Sequence, residues 1–500
     1  MRILVLLPAF VMTLAMKAAP CTITIDAPDH IGKAAVLYRY MDLFSMRREV
    51  LAVGEVDGHG SVTLTGEVAE IMKGQVRIGM DVAEFYLKPG ANYTVRLLPP
   101  ERNDPRSLGG ASLRQLEFLG LDRLDVNALT SDLNEKLDAF VAEDLATDQV
   151  AGMQARDLVL KDGSAKPDSV RRPATLFVNP GFSEARVDTF ELKLRKYYAG
   201  VSDVWFSSFM ESALAGLRFG PGTNDSALFA RALQNKPVRY NDPEYVRFFL
   251  SFFEDHLLRH PFLTNENELV RGIAQADMDS LKRLFSKNVF LTDDRLCELV
   301  VLNELYANYH GKTFDRSGIR SLLAKAIRSS NYSEHRSISA NMFWDLTTMQ
   351  PGDTLPSLMT WNTSGEKVEL DTLLAEGPVY IAFTASWCTY CELELSAMEK
   401  LHAEYGKVIR FITIDIDGTT TSIEALQRLH PARTWPHLLA NGDPLLLDKL
   451  RLRSVPAFFL LDGPQLKHAP AKSPSAGIAA DFHRIATSVP QEGGRRVWDD

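Results

Sequence analysis

Val379-Tyr-Ile-Ala-Phe383-Thr-Ala-Ser-Trp387-Cys388-Thr-Tyr-Cys391 sets a continuous apolar run just ahead of two cysteines with two residues between them. An unbroken run, rather than an alternation, describes a strand covered on both faces. The residues from Cys391 to about Tyr405 read as a helix and Val408-Ile-Arg-Phe-Ile-Thr-Ile414 as the next strand, which together make a βαβ unit. Ala457-Phe-Phe-Leu-Leu461 and Leu466-Lys-His468 turn through Asp462-Gly-Pro464, and a helix from Gly477 to Ile485 can cover the resulting sheet. Residues 350–490 are therefore expected to form an α/β layer structure.

Two cysteines at this spacing also make half of a zinc site, but zinc needs two further ligands. No second pair follows, and the scattered histidines have no ligand spacing, so neither a metal nor a cofactor is expected. Where a strand gives way to a helix, unpaired backbone N–H groups and the macrodipole stabilise a thiolate. Cys388 occupies that position, and Cys391 lies one turn further in. Cys388 is expected to attack a disulfide, and Cys391 to resolve the mixed disulfide.

The segment Phe383–Cys391, with Trp387 before the first cysteine, resembles the active-site segment of thioredoxins. Arg453-Ser-Val-Pro456-Ala-Phe-Phe resembles that family's second signature. The resemblance implies that Pro456 is cis and faces the dithiol, that Val455 offers backbone groups to a bound peptide, and that Trp387 borders the substrate. Cytosolic-type thioredoxins carry a buried aspartate where this chain has Ala382. Glu394 instead matches the CxxCxxE pattern of the exported TlpA/ResA-like thiol-disulfide oxidoreductases, and the resemblance implies that it takes the proton of Cys391. The long stretch between Ile416 and Arg453 resembles that group's inserted helix, and Gly352-Asp-Thr-Leu-Pro356, with Gly365 and Leu370, its opening strands. Such an enzyme would reduce protein disulfides in the periplasm or cell envelope and draw electrons from a membrane carrier. Thr389-Tyr390, the dipeptide that tunes potential, matches neither thioredoxin's Gly-Pro nor the Pro-His of strong oxidants, so redox direction stays open.

The rest of the chain is organised differently. Met1-Arg2, the apolar run to Met16 and Lys17-Ala-Ala-Pro-Cys21 have the pattern of a secretory signal, expected over residues 1–20. Cys21 could instead carry a lipid and tether the protein to a membrane. From 21 to 100 the pattern has period two, as in Thr22–Ile25, Ala35–Tyr38, Val62–Leu64, Val76–Ile78 and Tyr93–Leu97, with turns at Asp57-Gly-His-Gly60 and Lys88-Pro-Gly90. A small antiparallel β-sandwich is expected there. After a linker that begins at Pro99-Pro100, residues 108–349 are expected to form an all-α domain. One of its helices, capped by Asp242 and Pro243, carries Tyr245, Phe248, Phe249, Phe252 and Phe253 on one stripe, read as core rather than as a groove for a partner or cofactor. Further helices are expected at Val187–Tyr198, Leu269–Phe285, Asp293–Tyr309 and Ile319–Ile327, a loop at Gly152–Phe182, and a tail at 491–500. The layout as a whole resembles multidomain exported bacterial proteins of the thioredoxin family.

Four cysteines among 500 residues are too few for a disulfide-held scaffold, and Cys297, in an apolar helical stretch, reads as a small buried hydrophobe. A net charge of −9 without a basic stripe gives no basis for nucleic-acid binding. Two rivals stay open beside the reductase. One is an envelope binding or assembly protein with a subordinate redox domain. The other is a thiol peroxidase, a family with a threonine and a proline at the positions of Ala385 and Ile381.

Overall fold

The computed structural model describes residues 18–99, 112–143, 184–220, 222–256, 266–375, 377–440 and 443–488. The apolar leader, the Gly152–Phe182 loop and the tail expected from the sequence lie outside these residues, as does most of the expected linker.

The α/β part is built on β12 (Pro378–Thr384), the quoted apolar run. It pairs in parallel with β13 (Arg410–Asp415) and antiparallel with β15 (Ala457–Asp462). Burial on both faces follows from its central place. Val379, Ile381 and Phe383 enter one core, and Tyr380 and Ala382 enter another with Leu395 and Met398 of the Thr389–Tyr405 helix and Phe482 of the Ala479–Ser488 helix. With β10 (Met359–Trp361), β11 (Lys367–Glu369), β14 (His437–Leu439) and β16 (Gln465–His468), the order is β11-β10-β14-β13-β12-β15-β16. The stretch between β13 and β15 carries the helix Thr420–Leu429, in addition to β14 and a short helix at Leu446–Lys449.

The N-terminal part is a two-sheet sandwich. One sheet runs β4 (Ser61–Val68), β1 (Ala19–Asp26), β7 (Asn92–Leu97), β9 (Leu116–Phe118). The other runs β3 (Arg48–Glu55), β2 (Ala34–Tyr40), β5 (Met72–Ile78), β6 (Asp81–Leu87), β8 (Ser112–Leu113). Two boundaries differ from expectation. Ala19 and Pro20 already belong to β1, opposite Val68 and Glu67, and the chain returns after the linker to add β8 and β9 beyond residue 100. The pairing is antiparallel except where β1 meets β7 and β6 meets β8. The Cys21 side chain is fully buried in the sandwich core, in one cluster with Ile23, Leu64 and Val95.

Helices fill the middle of the chain. Asp242 caps Pro243–Phe252 by accepting from the N–H groups of Glu244 and Tyr245, and Ser208 and Ser212 donate to its other oxygen. Tyr245, Phe248, Phe249 and Phe253 are buried in the largest apolar cluster and Phe252 packs against it, so the stripe is core. Leu269–Phe285 is two helices, Glu266–Ala274 and Met278–Phe285, because Ala276 takes φ 51° and Asp277 caps the second by accepting from Ser280 N–H. Cys297 is buried in this cluster, and burial pushes its thiol pKa up to about 12.

Candidate active site

β12 stops at Thr384, the chain turns through Ala385, Ser386 and Trp387, and the next helix begins with Cys388 as its N-cap residue. Cys388 Sγ accepts from the backbone N–H of Cys391 at 3.0 Å, so the sulfur takes the place an N-cap oxygen usually fills. Cys388 and Cys391 are joined as a disulfide with their Cα atoms 5.3 Å apart. Cys391 is buried, while Cys388 keeps partial access to solvent. Trp387, Tyr390 and Leu393, in the turn and first turns of this helix, keep 40%, 57% and 65% of their surfaces exposed.

The Val455–Pro456 peptide is cis and leads into β15. The Val455 carbonyl oxygen lies 3.7 Å from Cys388 Sγ. The structure thus brings together Trp387, Cys388, Cys391, Val455 and Pro456, residues up to 69 positions apart in sequence.

Glu394 is placed otherwise than a bare proton acceptor. It is buried beneath the helix, where the N–H of Ser475 at 3.0 Å, the Ser473 hydroxyl at 3.2 Å and the Ser475 hydroxyl all donate to it. Burial alone would raise its pKa, but the hydrogen bonds from Ser475, Tyr390 and Ser473 outweigh it and hold the carboxyl below its ordinary value. Ala382, where cytosolic-type thioredoxins have an aspartate, is fully buried on the helix-facing side of β12.

Sequence reasoning missed the other charged groups that shape the site. Asp417 accepts from the Ser386 N–H at 2.8 Å and from the Ser386 hydroxyl at 3.2 Å, fixing the turn that presents Cys388. Asp415, at the end of β13, accepts from the N–H groups of Asp417 and Gly418, yet burial lifts its pKa to about 7. Arg433, whose side chain is wholly buried, bridges Glu392 and Glu399 and ties the helix just past Cys391 to the segment leading into β14. The only local signal was Asp415-Ile-Asp-Gly418 after a strand, which reads as an ordinary turn.

A parallel-centred sheet with a cysteine pair at a helix N-terminus, facing a cis-proline, defines the thioredoxin-fold class of thiol-disulfide oxidoreductases. Residues 351–462 match the AhpC/TSA family. The chain is 33% identical over 82 residues to thioredoxin C-2 of Corynebacterium nephridii, covering 72% of that protein and 16% of this one, and it belongs to the thioredoxin family through this C-terminal part. It is 27% identical over 121 residues to the thiol-disulfide oxidoreductase ResA of Bacillus cereus, covering 68% of that protein and 24% of this chain. A crystal structure of a putative thiol-disulfide oxidoreductase from Bacteroides vulgatus aligns over 28% of this chain and 99% of its own, at 24% identity and a TM-score of 0.26. The protein is an enzyme of the thiol-disulfide oxidoreductase class.

Proposed function

We propose that the protein is exported and reduces disulfides of other proteins in the periplasm or cell envelope. The observation that carries this reading is the half-open Cys388 at a helix N-terminus, with Cys391 buried one turn inside and cis Val455–Pro456 alongside. In the reduced enzyme the Cys388 thiolate attacks one sulfur of a substrate disulfide, breaking that bond and expelling the other sulfur as a thiolate. Cys391 then loses its proton and attacks Cys388 Sγ, which frees the second substrate thiol and leaves the Cys388–Cys391 disulfide. The substrate gains two electrons and two protons. A membrane-bound electron donor returns the pair to the dithiol.

Trp387, Val455 and Pro456 receive the substrate chain, with the Val455 backbone pairing to it beside Cys388. Glu394 is ionised and so in the form that accepts the proton of Cys391, while Ser473 and Ser475 compete for the same oxygens. A Glu394→Gln enzyme should then need a higher pH for half-maximal turnover. Thiol peroxidase chemistry is disfavoured because Ala385 and Ile381 are buried apolar side chains where that family keeps its threonine and proline.

The decisive test uses two variants. Cys388→Ser should lose all disulfide turnover, and Cys391→Ser should accumulate mixed disulfides whose partners mass spectrometry identifies. Should Cys391→Ser capture no envelope protein while the intact chain still holds a partner without covalent bonding, the molecule is an assembly factor and the reductase reading fails.

A further inference from the structure

Beside Val455 lies a cleft of about 590 Å³ whose walls come from the sandwich, the helical part and the thioredoxin-fold part. Arg47, Arg48 and Arg77 line it from the sandwich, and Arg451 and Arg453 from the segment that leads into the cis-proline. The carboxylates lining it are Asp345 and Asp448. Five guanidinium groups face two carboxylates, in a chain whose net charge is −9.

The partners of each group decide where the positive charge is left uncompensated. Asp448 is taken by Arg48 and Arg77. Asp345 pairs with Arg451 and accepts from the Tyr306 hydroxyl, and Arg453 reaches it only at 3.7 Å, with 84% of its own side chain exposed. Arg47 has no carboxylate within ion-pair distance among the described residues. It donates to the Asn341 side-chain oxygen at 3.1 Å and lies 4.1 Å above the Trp344 ring, and Arg451 stands 5.0 Å from that same ring. Burial, reinforced by the nearby Arg451, outweighs Asp42 and Glu49 and lowers the Arg47 pKa. A guanidinium held in place by an aromatic face and an amide, without its own anion, is preorganised for a carboxylate from outside.

We propose that this cleft binds the polypeptide segment flanking a substrate's disulfide and selects segments that carry acidic side chains. The proposal rests on the dithiol reading and adds the substrate class. Val455 lines the cleft and its carbonyl oxygen is 3.7 Å from Cys388 Sγ, so a chain bound there lies within reach of the attacking sulfur. Met46, Met80 and Leu452 supply apolar contact between the charges. Arg47 belongs to the sandwich and Arg453 to the thioredoxin-fold part, so a segment bound to both touches more than the redox domain.

The test uses the full reduced chain and two disulfide-bridged peptides identical except for glutamate or lysine beside the cysteines, together with a small uncharged aromatic disulfide. The glutamate peptide should be turned over with a kcat/KM about tenfold above that of the lysine peptide at low ionic strength, a ratio that shrinks towards one in about 0.5 M salt. Arg453→Glu, at a largely exposed position, should collapse the ratio, and Arg47→Glu should do the same. Equal turnover of both peptides by the native chain, or a ratio untouched by Arg453→Glu, overturns the proposal. Equal preference for a small dicarboxylate disulfide also overturns it, since the cleft would then be an anion site and not a polypeptide groove. Failure on the uncharged disulfide would refute the dithiol reading itself, an outcome distinct from these.

Discussion

Asp415 closes β13 beside the turn that carries Cys388, and burial raises its pKa from 3.8 to about 7. Between those two values the native state holds a proton that the unfolded chain has released, so this residue makes the protein less stable as pH rises from about 4 to about 7. Asp415→Asn keeps an acceptor for the N–H groups of Asp417 and Gly418 and removes the buried charge. It should raise the melting temperature at pH 8 and leave it nearly unchanged at pH 4, followed by circular dichroism; equal shifts at both would exclude the charge as cause. Glu394 has the opposite sign. Burial pushes its pKa up, but the hydrogen bonds from Ser475, Tyr390 and Ser473 bring it below the ordinary 4.5. Its contribution is therefore complete above that value and lost as pH falls through the folded pKa. Glu394→Gln should cost about 1–2 kcal/mol at pH 7 in denaturant titrations, and the two proteins should converge in acid.

At the scale of the element, the Thr389–Tyr405 helix is fastened on two sides. Leu395 and Met398 enter the core, and Arg433 crosses from the segment before β14 to Glu392 and Glu399. Because the Arg433 side chain is wholly buried, removing both carboxylates leaves a cation without compensation or water. A Glu392→Gln/Glu399→Gln pair should lose about 3–5 kcal/mol of stability by chemical denaturation, whereas losing two surface ion pairs would cost less than about 2 kcal/mol. The helix itself and β12 were legible from the sequence because an unbroken apolar run and a cysteine pair are local signals. Trp387, Val455 and Pro456 were legible through a family resemblance. Arg433, Asp415 and Asp417 were not, since each acts through a partner more than 30 positions away or through burial that no local pattern encodes. The same limit explains β3, an edge strand without a fully buried residue, and β8 and β9, which pair only after the chain has returned across the linker. Glu394 shows the converse: the motif located it, but not the serines that occupy its oxygens.

The sandwich shares apolar surface with the helices, where Phe44 packs edge-on to Phe249 at 5.6 Å and Tyr86 to Trp205 at 5.0 Å, but it meets the thioredoxin-fold part mainly through charged and hydroxyl groups. Asp448 is the densest of these contacts. It accepts from the Tyr38 hydroxyl at 2.6 Å and from Arg48 and Arg77 at 3.1 Å each, and Arg77 also donates to the Pro444 carbonyl oxygen. Met80 adds one apolar contact with the thioredoxin-fold core, and Asn341 links the helical part to Asp42 and Arg47. A polar contact of this kind holds the sandwich and the thioredoxin-fold part in register without fusing their cores, so their unfolding is coupled by a few directional bonds. Asp448→Ala removes three of them at once and leaves Arg48 and Arg77 of the sandwich without the carboxylate they share. Scanning calorimetry should show the native unfolding profile broaden or split, with the sandwich melting ahead of the thioredoxin-fold part by an amount equivalent to about 2 kcal/mol of lost coupling. A profile that shifts as one sharp transition would mean that the apolar contact around Met80, and not the aspartate, joins the two.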